Sequence, residues 1–181
     1  MKKKYFMLLC FLTGVLSAQD GSLDTSFGDN GIVITDFDNN IDVGLSIVEQ
    51  ADHKILVSGL TSSNHEDYFP LLARYLPNGD IDTAFGDNGK VTADFGSGVN
   101  SFDYLFIDSS NYIYAAGNFG ISPNFTFTVV KFMQNGIVDP TFGNNGLLEL
   151  DNVEISNMIQ LNDGSLMFVQ HSNTNEITLI H

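Results

Sequence analysis

The chain is 181 residues long and carries 22 Asp and Glu against 7 Lys and Arg, a formal net charge of −15. A surface this acidic repels phosphate backbones, which excludes nucleic acid as a partner class. Apolar residues make up 43% of the chain and glycines number 17, which argues against a disordered polypeptide and for a globular core crossed by many tight turns.

Residues 1–18 open with Lys2, Lys3 and Lys4, continue as an apolar run from Tyr5 to Leu16, and close on Ser17 and Ala18. That is the layout of a secretory signal peptide. The run is shorter than the roughly 20 apolar residues that a membrane-spanning helix needs, so the chain is not expected to be transmembrane. Cys10 is the only cysteine, and Leu9 before it is not the small residue that a lipid-attachment motif requires. Beyond Ala18 there is therefore no thiol for disulfides or thiolate metal sites. Without the leader, Lys54, Arg74, Lys90 and Lys131 stand against 22 acidic residues, a net charge of −18. This acidity suits a soluble extracellular surface, with divalent cations as the one ligand class it favours.

Residues 19–30 form a leading connector whose core returns twice. Gly21-Ser-Leu-Asp-Thr-Ser-Phe-Gly-Asp-Asn-Gly31 reappears as Gly79-Asp-Ile-Asp-Thr-Ala-Phe-Gly-Asp-Asn-Gly89 and as Gly136-Ile-Val-Asp-Pro-Thr-Phe-Gly-Asn-Asn-Gly146. Phe27 to Phe85 spans 58 positions and Phe85 to Phe142 spans 57, a phase that marks a true repeat. In each connector an aspartate (Asp24, Asp82, Asp139) is placed to cap backbone amides, and a phenylalanine (Phe27, Phe85, Phe142) to plug the core. The glycine after it (Gly28, Gly86, Gly143) is placed to adopt positive φ.

The first module, 31–88, predicts strands at 31–37, 44–50, 54–60 and 69–76. The second, 89–145, predicts strands at 90–95, 101–108, 112–118 and 125–133. The third, 146–181, predicts strands at 147–151, 156–161, 165–170 and 176–181, and is degenerate and cut short. Each run is rich in Ile, Val, Leu and Phe and is bounded by turn residues, and no helix is expected. The expected fold is all-β: three four-stranded antiparallel modules arranged as β-propeller-like blades, in an incomplete or open propeller. The fourth strands carry Arg74, Lys131 and His181 at matching places. In a chain so poor in cations these are expected to pair with connector aspartates, Arg74 with Asp82 or Asp24.

The stretches Asp52-His-Lys-Ile-Leu-Val-Ser-Gly59, Leu72-Ala-Arg-Tyr75 and Asn78-Gly-Asp-Ile-Asp-Thr-Ala-Phe-Gly86 resemble the delta-60 repeat family. The third copy keeps Asn162-Asp-Gly-Ser-Leu-Met-Phe-Val169 but has Gln170 where the glycine stands. The resemblance implies propeller-like blades in secreted or surface proteins of bacteria, often in chains with a sorting domain for type IX secretion. With three modules, the last cut short at His181, against the roughly four or more blades that propellers usually need to close, the chain is expected to be a fragment of a larger propeller, or else a small open unit closed by self-association through its module edges.

Sites of chemistry are scarce. Asp36, Asp38, Asn40 and Asp42 alternate as in a calcium loop, but Ile41 holds the glycine place and Ile47 the place of the bidentate glutamate, which favours a solvated loop without calcium. No other cofactor is expected. The four histidines lack metal-ligand spacing and no Gly-x-Ser-x-Gly occurs, so the chain is not expected to be an enzyme. Asn124-Phe-Thr126 is a glycosylation acceptor only in a eukaryotic host. The copies differ most between their third and fourth strands, at 61–68 and 118–124. There Tyr68 and Phe119 stand beside polar groups, either to stack on a sugar or as partial core. These readings converge on a non-catalytic secreted or surface-exposed scaffold that binds a protein or a glycan. Its rivals are a propeller hydrolase with converging carboxylates and a ligand-free spacer.

Overall fold

The computed structural model describes residues 21–181 except 97, 122, 123, 152 and 172–177; the signal peptide expected at 1–18 lies outside the described residues. Eleven strands are described: β1 (Ile41–Glu49), β2 (Ile55–Ser62), β3 (Phe69–Tyr75), β4 (Lys90–Thr92), β5 (Tyr104–Ile107), β6 (Ile113–Ile121), β7 (Asn124–Phe132), β8 (Leu147–Asp151), β9 (Glu154–Gln160), β10 (Leu166–His171) and β11 (Thr178–Ile180). Among the described residues there is no helix, hence none long and apolar enough to cross a membrane.

The strands form three antiparallel sheets, ordered β1-β2-β3-β4, β5-β6-β7-β8 and β11-β10-β9. None closes on itself, so the molecule is an open all-β array. The sheets do not coincide with the predicted modules. β4 and β8 are the first strands of the second and third modules, yet each pairs with the third strand of the sheet before it: Leu72 faces Val91, and Val129 faces Leu148. The connector causes this. Asn88 and Gly89 take consecutive positive φ values of 51° and 97°, and Asp87 and Lys90 exchange backbone hydrogen bonds across them. That is the two-residue turn that Asn-Gly favours. The turn delivers Gly89 to the edge of β3, where its carbonyl accepts from the Arg74 amide at 3.0 Å.

The strand predicted at 31–37 is accordingly not formed, because its counterparts β4 and β8 join a sheet that precedes them, and among the described residues none precedes Gly31. Only an isolated bridge joins Asp29 to Ile32. The segment is nevertheless extended in its exposure pattern, with Val33, Thr35 and Phe37 half-buried and Ile32, Ile34 and Asp36 exposed.

Both faces of the middle sheet are buried, and its alternating residues sort to the two sides as strand periodicity requires. Ile113, Ala115, Val130 and Phe132 pack against Leu56 and Leu72 of the first sheet, with Phe85 and Phe102 between them. Tyr114, Ala116, Phe127 and Val129 pack against Ile155, Met158 and Phe168 of the third. The two junctions are equivalent, since Leu56 and Leu72 correspond by repeat position to Tyr114 and Val129. The sheets therefore stack in one sense, the same face of each meeting the opposite face of the next.

Backbone bonds stitch the stack: the Phe102 amide donates to the Gly59 carbonyl at 3.0 Å. Gly59 sits opposite the bulge between Gly44 and Ser46, and a Cβ there would lie 1.8 Å from the Val43 carbonyl oxygen. Gly59→Ala is expected to destabilise by about 1–3 kcal/mol, the range for overpacking that the backbone must absorb. Urea unfolding monitored by circular dichroism checks this.

Candidate functional site

The polar residues that recur are grouped at the connectors. Asp24 Oδ1 accepts from the amide of Ser26 at 2.9 Å and from its hydroxyl at 2.6 Å. Asp82 Oδ1 accepts from the Ala84 amide at 3.2 Å, and Asp139 Oδ1 from the amide and hydroxyl of Thr141 at 3.0 and 2.6 Å. Each aspartate thus caps the turn that presents its phenylalanine. The outcome differs with the surroundings: Phe85 is fully buried between the first two sheets, whereas Phe27 and Phe142 are half-buried. Gly28, Gly86 and Gly143 have φ of 55°, 53° and 50°, and a Cβ at any of them would strike the carbonyl four residues on.

Successive connectors are also tied to each other. The amides of Gly28 and Gly86 donate to the carbonyls of Asn78 and Asn135 at 2.9 and 3.0 Å.

The second oxygen of two of these aspartates holds a cation. Arg74 Nε donates to Asp82 Oδ2 at 2.8 Å, both side chains being nearly buried, while Arg74 Nη1 donates to the Gln134 carbonyl at 2.6 Å. The guanidinium also lies 4.5 Å from the centroid of Phe85. Arg74 therefore clasps its own connector and the next one together. Lys131 Nζ stands 3.0 Å from Asp139 Oδ2 and 3.9 Å from the centroid of the Tyr112 ring.

Lys54 joins the first clasp at 3.3 Å from Asp82. It was missed in the sequence because only this copy has a cation there; Tyr112 and Ser165 occupy the matching positions. His181 stands 2.9 Å from Ser165 Oγ. Asp24 has no ion-pair partner among the described residues.

Burial pushes the Asp82 carboxyl up, but the Ala84 amide, Arg74 and Lys54 outweigh it and hold the group below the ordinary aspartate range. The Thr141 hydroxyl, Lys131 and the Thr141 amide hold Asp139 low as well. The exception is Asp103, half-buried before β5, whose carboxyl burial raises despite bonds from Ser101 and the Asn118 amide.

The calcium-like segment is organised as a turn. Asp36 Oδ1 accepts from the Asn39 amide at 2.8 Å, Asp42 Oδ2 accepts from the Phe37 amide at 2.7 Å, and Asp38 pairs with Lys90. The carboxylates thus point to separate backbone and side-chain partners, and Asn40 contributes only its amide, donating to the Phe37 carbonyl at 3.3 Å. Among the described residues no three His, Cys, Asp or Glu side chains gather as metal ligands.

The two loops singled out by sequence differ in kind. The stretch expected as a loop at 118–124 is mostly strand, because β6 runs to Ile121 and β7 begins at Asn124. Phe119 is a core residue and not a surface aromatic: it is 6% exposed, stacks on Phe95 with centroids 4.4 Å apart, and meets Phe102 edge to face at 5.9 Å. The gap at 61–68 does hold a projecting loop once Thr61 and Ser62 are assigned to β2.

That loop is tightly braced. Ser62 Oγ accepts from the His65 amide at 3.0 Å, and Asn64 Oδ1 accepts from the amides of Glu66 and Asp67 at 2.9 Å each. Asp67 Oδ1 accepts from the Gly98 amide at 3.2 Å. Tyr68 is half-buried at its base, its amide donating to the Gly98 carbonyl and its carbonyl accepting from the Asn100 amide. The loop therefore holds Ser63, Asn64, His65 and Glu66 out in solvent on a fixed backbone.

Residues 50–85 and 109–142 match the family described as "Domain of unknown function (DUF5122) beta-propeller". Both segments match a β-propeller repeat family. Each runs from the turn between the first two strands of a sheet to the connector phenylalanine, so the matched unit contains the clasp and the plug. The three sheets are on this footing propeller-like blades, and the braced loop projects from the hairpin of the first blade. No curated protein and no solved structure matches the chain.

Proposed function

We propose that this protein is a non-catalytic, secreted or surface-exposed propeller scaffold that recognises a protein or glycan through the loop Ser63–Glu66. The observation that carries the reading is the bracing of that loop: Ser62 Oγ, Asn64 Oδ1 and Asp67 Oδ1 accept backbone hydrogen bonds that fix it, while the side chains of Ser63, His65 and Glu66 are held exposed. A pre-ordered loop has little conformational entropy left to lose when a ligand is bound, which raises affinity. His65, Glu66 and Asn64 supply the donors and acceptors that sugars and polar peptides require. The leader at 1–18 and the resemblance to delta-60 repeats of secreted bacterial proteins support the location outside the cell. Depletion of cations after the leader supports a soluble surface and a partner other than nucleic acid.

The recurring aspartates support a scaffold over a hydrolase, since each caps a connector turn and two also hold cations. Replacing residues 63–66 with Gly-Ser-Gly-Ser is expected to abolish binding on arrays of glycans and purified envelope proteins, with circular dichroism unchanged. A retained binding profile would remove the loop from the reading.

A further inference from the structure

Among the described residues, the same-sense stacking leaves one face of each kind without a facing sheet. On the first blade it is the face of Ile47, Val57 and Tyr75, where a cleft of about 340 Å³ opens beside Phe27 and Val33. On the third blade it is the face of Ile159, Met167 and Leu179, with Ile159 54% and Leu179 59% exposed. By repeat position these three are the counterparts of Val48, Leu56 and Leu72, with which the first blade grips the second. The uncovered faces are thus the two halves of a junction that the chain builds twice internally.

The strand edges agree with the faces. β11 pairs with β10 on one side, and among the described residues no strand lies on its other edge. Residues 31–34 are the counterparts of Gly89-Lys-Val-Thr92, which supply exactly such an edge strand to the first blade, and they are unpaired beyond the Asp29–Ile32 bridge. Ile34 is an isoleucine left 91% exposed.

We propose that two copies of this chain associate head to tail, residues 32–34 of each adding to β11 of the other as the fourth strand of its third blade. The observed β3–β4 register fixes the pairing: Ile32 opposite Ile180, Val33 opposite Leu179, Ile34 opposite Thr178, and the His181 amide donating to the Gly31 carbonyl. Val33 and Leu179 then face the uncovered side of the first blade, as Val91 and Leu72 face the second. His181, in the place of Arg74 and Lys131, comes beside Asp24 of the other copy, in the place of Asp82 and Asp139. A repeated heterologous junction either closes or polymerises. Two copies of three blades make six, within the four to eight that propellers close with, roughly, while three copies make nine.

Light scattering of the full chain across a concentration series is expected to show twice the mass of one chain. In a Cys10→Ser background, mixing Ile34→Cys with Thr178→Cys chains is expected to give a reducible cross-link that neither variant forms alone. Positions opposite one another without shared hydrogen bonds bring their Cα atoms within about 4.5 Å. Ile34→Lys is expected to weaken association roughly tenfold or more, and Ile137→Lys, exposed elsewhere, to leave it unchanged. A folded chain that keeps the mass of one copy at every concentration overturns the proposal. So does growth into open polymers, or Ile34→Cys chains cross-linking to each other without Thr178→Cys.

Discussion

Phe85→Ala is expected to lower the unfolding free energy by about 3–5 kcal/mol, the range for truncating a buried aromatic whose site cannot collapse. The site has little room to close, because Phe85 is fully buried in the cluster of Leu56, Leu72, Phe102, Ile113 and Phe132, residues belonging to two different blades. A Cβ at Gly136 would already lie 2.9 Å from its ring, so the next connector presses on it from behind. The truncation also removes the surface on which the Arg74 guanidinium lies. The repeat provides internal controls: Phe27→Ala and Phe142→Ala change the same residue in the same turn, but on half-buried rings. Each is expected to cost less than Phe85→Ala in the same urea titration, and equal losses at all three positions would show that the turn, and not the junction, sets the cost.

Asp82→Ala is expected to cost a comparable amount, about 3–5 kcal/mol, because it leaves Arg74 charged, buried and unpaired. The same change deprives the Ala84 amide of its acceptor and leaves Lys54 with Asp52 as its one carboxylate partner among the described residues. Asp139→Ala is expected to cost less, since Lys131 is more exposed than Arg74 and keeps its contact with Tyr112.

The pH dependence has a definite sign. Both carboxylates are held below their ordinary value in the folded chain, so their contribution is complete above the unfolded aspartate value near about 3.9 and is lost as pH falls through the lower folded values. Lys131 is held above its ordinary value, Asp139 and Tyr114 together outweighing the downward pull of its burial. Its contribution is complete below the unfolded lysine value near about 10.4 and fades as pH rises past it. Thermal unfolding between pH 2 and 5, roughly, should therefore fall less steeply for Asp82→Ala than for the unaltered chain.

The connector turns and the pairings of Arg74 and Lys131 were legible in the sequence because each depends on neighbours within a dozen residues, and the repeat because its motif recurs at a constant spacing. Asp82 finds Arg74 eight positions back, and Asn88-Gly89 carries its turn chemistry in two residues. What was illegible depends on the partner sheet. Nothing local distinguishes Lys90–Thr92 from the start of its own module, yet its hydrogen bonds go to the preceding one. Phe119 reads as either a sugar-stacking aromatic or partial core until Phe95 and Phe102 are placed around it, and the first copy does not decide between them, for Phe102 stands where it has Gly44. The bracing of 63–67 was illegible as well, since its anchor at Gly98 lies 31 positions on, in the link between the first and second blades.

The fourth strand has a consequence for how such a molecule divides into units. The segment that recurs in the gene, spaced 57 positions from Phe85 to Phe142, is out of phase by one strand with the sheet that folds. A unit counted from one connector to the next therefore lays its first strand into the sheet of its neighbour. Units cut at the connectors are spliced mechanically to one another, and none cut there carries all the strands of its own blade.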